Sequence, residues 1–259
     1  MLANLTDSIL GGEVVSRASA GELAAAEGPD LIDLFAAANR VRDHFRGAKV
    51  DLCSIVNARS GACSEDCRFC AQSSHYHTDA PVYDLLELSR IEEAATAAKE
   101  NGARRFCIVT SGRGIENDDD LKAIGRGLEQ VAALGLKPCA TLGTLSREQL
   151  KYLRDAGLHR YHHNIETSRE FFPEICSTHT FDERVSLLAT ARELGLSLCS
   201  GGILGMGETM QDRISMACSL REIGVDSVPI NFLMPISGTP LGNIAVSYTH
   251  LRAHETGRN

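Results

Sequence analysis

Residues 89–110, SRIEEAATAAKENGARRFCIVT, decide the fold. A helical stretch runs to a turn at Gly102, and the apolar strand RRFCIVT follows at once. The same unit recurs down the chain. DLKAIGRGLEQVAALG leads into LKPCATL, SREQLKYLRDAG into LHRYHHNI, FDERVSLLATARELG into LSLCSGGI, and MQDRISMACSLREIG into VDSVPINF. Gly102, Gly135, Gly157, Gly195 and Gly224 sit where a helix needs a residue that tolerates positive φ in order to end. Helix–glycine–strand units in series have crossovers long enough for parallel pairing, which predicts an α/β protein with a parallel sheet. The earlier strand VDLCSIVN brings the expected strands to about six.

Two parallel architectures suit such a series. A dinucleotide-binding sheet wants a glycine fingerprint directly after its first strand. Here that place holds GACSEDCRFC, so a (β/α)8 TIM-type barrel is the expectation, incomplete at about six strands. Residues 1–245 read as one barrel domain with a helical N-terminal segment. Residues 246–259 break the pattern. VSYTHLRAHET has no sustained period or cap, and it matches a reading frame of a common transposon-based sequencing adapter. We therefore expect a non-native tail from Val246, with later strands missing, a gap between first and last strands, and a chain that does not work as written.

Composition excludes several function classes. A net charge of −8 without basic runs argues against nucleic-acid binding, which needs clustered Lys and Arg. No apolar run approaches the ~18 residues of a membrane span, and the first residues lack the form of a secretory signal. A cytoplasmic setting is expected, where the nine cysteines read as metal ligands, catalytic thiols or small buried apolar groups rather than disulfides.

Cys63, Cys67 and Cys70 form C-x3-C-x2-C on the loop after the first strand. Three thiolates there can hold three irons of a cubane cluster and leave the fourth open. The loop lies on the face where barrel active sites form. A structural zinc site or a redox thiol pair is the alternative, but no second paired ligand group appears to close a zinc site. The motif resembles the radical SAM superfamily. That resemblance implies a [4Fe–4S] cluster that donates one electron to S-adenosylmethionine (SAM), with Phe69 beside the adenine.

Cys107, Cys139 and Cys199 lie within three later strands, where residues of similar height meet inside a barrel. They read either as ligands of a second cluster or as buried small residues. RRFCIVTSGRG, CATLGTLS, YHHNIETS, CSGGILGMGET and SVPINFLMPISGTPL occur in the order of the biotin synthase family, and the resemblance covers residues 51–241. It implies sulfur insertion into dethiobiotin. Cys107, Cys139 and Cys199 would bind a [2Fe–2S] or other auxiliary cluster whose sulfide becomes the biotin sulfur. The fourth ligand, typically an arginine on a late strand, has no counterpart here.

The resemblance also implies that Asn164 and Glu166 bind SAM, with Asn164 reaching substrate as well, that Arg184 meets the SAM carboxylate, and that Asn231 binds the ureido ring. On residue type alone a solvated helix arginine is the alternative for Arg184, and Asn231 is equally a satisfied strand-end amide. The glycines of GGILGMGE are expected to let backbone approach the SAM methionyl group. His162, His163, His75, His77 and His179 show no metal spacing, Asp118–Asp120 read as helix-start acids, and Cys53, Cys176 and Cys218 as structural. Implied partners are dethiobiotin, SAM, a flavodoxin or ferredoxin electron donor and a second copy in a homodimer. The rivals are another radical SAM enzyme, of the hydrogenase-cofactor maturase or methylornithine synthase type, and a non-catalytic iron–sulfur carrier.

Overall fold

A computed structural model describes residues 2–245. The expected tail from Val246 lies outside the described residues. Three helices open the chain: α1 (Leu2–Leu10), α2 (Arg17–Ala24) and α3 (Gly28–Arg46). The repeat then runs β1 (Cys53–Arg59), α4 (Leu88–Glu100), β2 (Arg105–Thr110), α5 (Asp118–Ala133), β3 (Lys137–Thr141), α6 (Arg147–Asp155) and β4 (Arg160–His162). It continues with α7 (Phe181–Glu193), β5 (Ser197–Cys199), β6 (Gly202–Leu204), α8 (Met210–Ile223) and β7 (Ile230–Phe232).

Each helix starts and stops for a local reason. Ser146 with Gln149, Thr180 with Glu183 and Thr209 with Asp212 form capping boxes at the starts of α6, α7 and α8. Each satisfies two amides that the first turn would otherwise leave unpaired. Asn117 caps α5 through the Asp120 amide, so the acids there sit in a first turn as expected. Asp120 also takes an ion pair from Arg59 at 3.0 Å. All five turn glycines have positive φ, between +74° and +99°.

Strands β1 to β5 form one parallel sheet in chain order. The fifth expected strand behaves differently. LSLCSGGI breaks at Ser200 and Gly201 into β5 and β6, and β6 pairs with β7. The reason is crowding. A Cβ on Gly201 would lie 1.8 Å from the Pro229 carbonyl oxygen, and one on Gly202 would lie 2.3 Å from that of Glu166. These two glycines therefore admit neighbouring backbone. The wall stays continuous, because Ile203 N donates to Glu166 O at 2.9 Å and Ser200 N to Ser227 O at 3.1 Å. Among the described residues, β1 and β7 are the two outer strands and are not paired with each other.

The sheet's two faces differ in chemistry. Phe106, Ile108, Ala140, Tyr161 and Leu198 point outward and are fully buried against Ile91, Ile124, Leu128, Leu150, Leu153 and Leu188 of the helices. Each large member of that layer contributes ~1.5–3 kcal/mol of burial. The alternate residues face the lumen, among them Cys53, Asn57, Cys107, Cys139, His162 and Cys199. That alternation, with period two, delivers the site residues to one place. No helix among the described residues is long and apolar enough to cross a membrane.

Candidate active site

The loop after β1 is pinned at both ends. Arg59 donates to Ser111 O at 3.1 and 2.9 Å and to Gly114 O at 3.1 Å. Cys63 N donates to Gln72 O, Ser74 N returns to Cys63 O, and Cys70 N closes a turn on Cys67 O. Asp66, between the first two motif cysteines, accepts from Ser177 N at 2.9 Å and from Thr178 N and Oγ1 at 3.1 Å each. Its carboxyl is held well below the usual range: burial opposes ionisation, and the donors at Ser177, Cys176 and Thr178 overcome it.

Cys63, Cys67, Phe69 and Cys70 share a cavity of about 230 Å³ with Asn164, Glu166 and Arg184. The loop motif and the ends of β4 and α7 thus meet, as the family resemblance implies. Burial pushes the Cys70 thiol up, and the neighbouring Cys63 adds to the effect. Converging thiols of this kind fit a cationic iron cluster, which would compensate their charge.

Glu166 is held in an unusual backbone conformation. Its φ is +67°, a left-handed value that costs an L-residue ~1–2 kcal/mol. The side chain is 8% exposed, and its Oε2 has no hydrogen-bond partner among the described residues. Burial raises the carboxyl's pKa, while Arg184 at 3.6 Å opposes that shift. An unpaired buried acceptor at the cavity wall suits ribose hydroxyls, which donate. Asn164 Oδ1 accepts from Gly201 N at 3.0 Å, and His162 Nε2 lies 2.9 Å away.

Arg184 is buried, so it is not a solvated helix arginine. Its Nε and Nη2 donate to His179 Nε2 at 2.9 and 2.7 Å, and Nη1 donates to Asn164 O. The His179 Nδ1–H is therefore the edge that meets Glu65.

Below this cavity the lumen carries a second group of thiols. Cys107 and Cys139 are register partners on β2 and β3. Cys199 pairs with His162, one row nearer the strand C-termini. Burial pushes the Cys107 thiol up to about 12, and Cys53 and Cys199 both act on it. Cys53, read from sequence as structural, is exposed at the edge of this group, and the Cys139 thiol beside it holds Cys53 down at about 7. Its signal was available, since residues 53, 55 and 57 alternate onto the lumen face that Ile55 shares with its register partner Cys107. Asn231 lies on exposed β7, beside Ile203 and away from the cavity of the motif cysteines.

Cys176 and His179 stand against the motif loop. Cys176 Sγ is 3.8 Å from Cys67 Sγ, and both thiols are buried. The spacing Cys176-x2-His179 was the clue to this cluster. Cys218 is buried within α8, as expected of a structural residue.

Residues 58–218 match the radical SAM superfamily model. The chain is 53% identical over 237 residues to a biotin synthase of Heliobacterium modesticaldum, covering 90% of this chain and 72% of that protein. The chain belongs to the biotin synthase family. A second biotin synthase, from Geotalea uraniireducens, is 46% identical over 97% of this chain and 77% of its own length. Among solved structures, methylornithine synthase superposes with a TM-score of 0.83 at 22% identity, covering 94% of this chain and 72% of that one. HydG, a maturase of the [FeFe]-hydrogenase, gives 0.79 at 15% identity, covering 95% and 57%. Those two likenesses show a shared barrel-type fold, whereas the biotin synthase family match extends to sequence.

Proposed function

We propose that this chain is a biotin synthase of the radical SAM type, inserting sulfur into dethiobiotin with SAM as cosubstrate. One observation carries the reading: the motif thiols, the unpaired Glu166 oxygen and Arg184 line one cavity, with a second thiol group directly below it in the same lumen. A carrier or sensor has no use for the SAM-directed side chains.

Cys63, Cys67 and Cys70 hold the [4Fe–4S] cluster, and Cys107, Cys139 and Cys199 hold the auxiliary [2Fe–2S] or related cluster. Cys53 supplies a fourth thiol to that lower site. When bound, the first cluster supplies an electron to SAM, releasing a 5′-deoxyadenosyl radical, and the second supplies sulfide. The chain's own residues do the rest. Glu166 and Asn164 fix the ribose, and Arg184 forks onto the SAM carboxylate. Phe69 covers the adenine, while Asn164 and Asn231 orient the ureido ring. The lumen walls set the substrate carbons within reach of sulfur and away from water. A flavodoxin- or ferredoxin-class protein delivers the electrons, and the active assembly is a homodimer in the cytoplasm.

The test is anaerobic reconstitution followed by iron counting and SAM cleavage, run on a full-length homologue that carries the same residues. Dethiobiotin deuterated at the carbons that receive sulfur should pass deuterium into 5′-deoxyadenosine. SAM cleavage without deuterium transfer would overturn the substrate assignment, and no cleavage would overturn the radical chemistry.

A further inference from the structure

The cluster of Cys67, Cys176 and His179 has a geometry of its own. One ligand atom from each lies within 4.8 Å of the others, and Cys67 and Cys176 are both buried. Cys176 Sγ is 3.8 Å from Cys67 Sγ and 3.3 Å from His179 Nδ1. A tetrahedral zinc centre has Zn–S near ~2.3 Å and Zn–N near ~2.0–2.1 Å, which sets sulfur–sulfur and sulfur–nitrogen edges at ~3.8 and ~3.5 Å. The side chains are thus spaced as the edges of such a centre. Glu65, which now holds His179 Nδ1, stands outside this group of three ligand atoms. Asp66 Oδ1 is 3.2 Å from Cys176 Sγ and fixes that thiol in place.

We propose that the cluster-free protein binds one zinc-class divalent cation at Cys67, Cys176 and His179, and that this excludes the [4Fe–4S] cluster. Cys67 cannot serve both centres. The thiol protons displaced by the cation leave to solvent, and the single ring proton of His179 moves from Nδ1 to Nε2 as Nδ1 takes the cation. Arg184 then loses its acceptor at His179 Nε2, because that nitrogen now carries the ring proton. The cation-loaded chain therefore has neither an open iron nor a fixed guanidinium for SAM. Exclusion of the cubane rests on the assignment of Cys67 to it. Cation binding by itself does not.

The test uses the full chain, cluster-free and anaerobic, titrated with Zn2+ against a chromogenic chelator and with Co2+ as the spectroscopic probe. Any zinc held by the lumen thiols is common to all variants, so the difference between variants reports this site. Cys176→Ser should bind one zinc fewer per chain, or bind that equivalent at least ~10-fold more weakly, and should lose the thiolate-to-cobalt charge-transfer intensity of one sulfur. Cys70→Ser should retain both. Cys176→Ser should also assemble its cubane to the parent's iron content, which verifies its fold, and do so despite one equivalent of Zn2+ that slows the parent. Parent-like zinc binding by Cys176→Ser would overturn the proposal. Loss of the same equivalent in Cys70→Ser would also overturn it, by placing the cation on the cluster motif. If zinc binds as described but leaves cubane assembly unchanged, the exclusion fails, and with it the assignment of Cys67.

Discussion

Arg184 reaches His179 through two hydrogen bonds to a single ring nitrogen, at 2.9 and 2.7 Å. His179 in turn meets Glu65, which lies between two motif cysteines. The guanidinium that we propose for SAM is thereby tied to the loop that carries the motif thiols. His179→Ala should weaken SAM binding ~10-fold or more, since a hydrogen bond to a charged group contributes ~1.5–3 kcal/mol. Equilibrium dialysis of SAM against the reconstituted protein measures this. Iron content should stay at the parent's level, and a fall in iron instead would assign His179 to holding the loop rather than orienting Arg184.

Glu166 combines a left-handed φ of +67° with a buried, unpaired oxygen. Glu166→Gly should remove both costs, so thermal stability should hold or rise by ~1 kcal/mol. SAM affinity should fall at the same time. Differential scanning calorimetry beside SAM dialysis reads both, and a clear loss of stability would show that the carboxylate supports the fold.

Gly201→Ala should be among the most damaging single substitutions in the chain. The new Cβ would meet Pro229 O at 1.8 Å, and backbone on β7 must move to admit it. Overpacking of this severity costs ~3 kcal/mol or more. Denaturant unfolding of the variant measures it. Near-parent stability would mean that β5 and β6 can separate from β7 freely.

Asp66 gives a stability term with a definite sign. Its folded carboxyl is depressed, so its contribution is fully present above the unfolded pKa of ~3.9 and is lost as pH falls through the lower folded value. Asp66→Asn should be less stable than the parent at pH 7 and converge with it on acidification below pH ~3. A pH series of urea melts checks this, and parallel curves for the two proteins would remove Asp66 as the cause.

Cys139→Ala separates the two thiol groups. It should lower iron content by the auxiliary share alone and leave SAM cleavage at the motif cluster. Cys53→Ala should lower auxiliary iron as well, because Cys53 bonds to Cys139. Mössbauer spectra of the reconstituted variants distinguish the two iron populations. Full auxiliary iron in Cys53→Ala would return Cys53 to a structural role.

The chain's local patterns were enough to give the parallel α/β class, the helix ends and the motif loop. Capping residues, turn glycines and C-x3-C-x2-C spacing act through neighbours a few residues apart, and such neighbours are visible in one dimension. Alternation likewise put Cys107 and Cys139 on one face, and their register is what the strand order requires. Three things needed the tertiary structure. Cys67 and Cys176 stand 109 positions apart in the chain and 3.8 Å apart in space, a contact made by loop closure across the barrel mouth. Alternation put Cys53 on the lumen face, but its place beside Cys139 came only from the register of β1, β2 and β3. The break of LSLCSGGI at Gly201 came from the crowding of Pro229 and Glu166 backbone, which no propensity of those residues encodes. Short-range order follows from sequence because its partners are fixed by covalent spacing, while these three contacts depend on where distant strands come to rest.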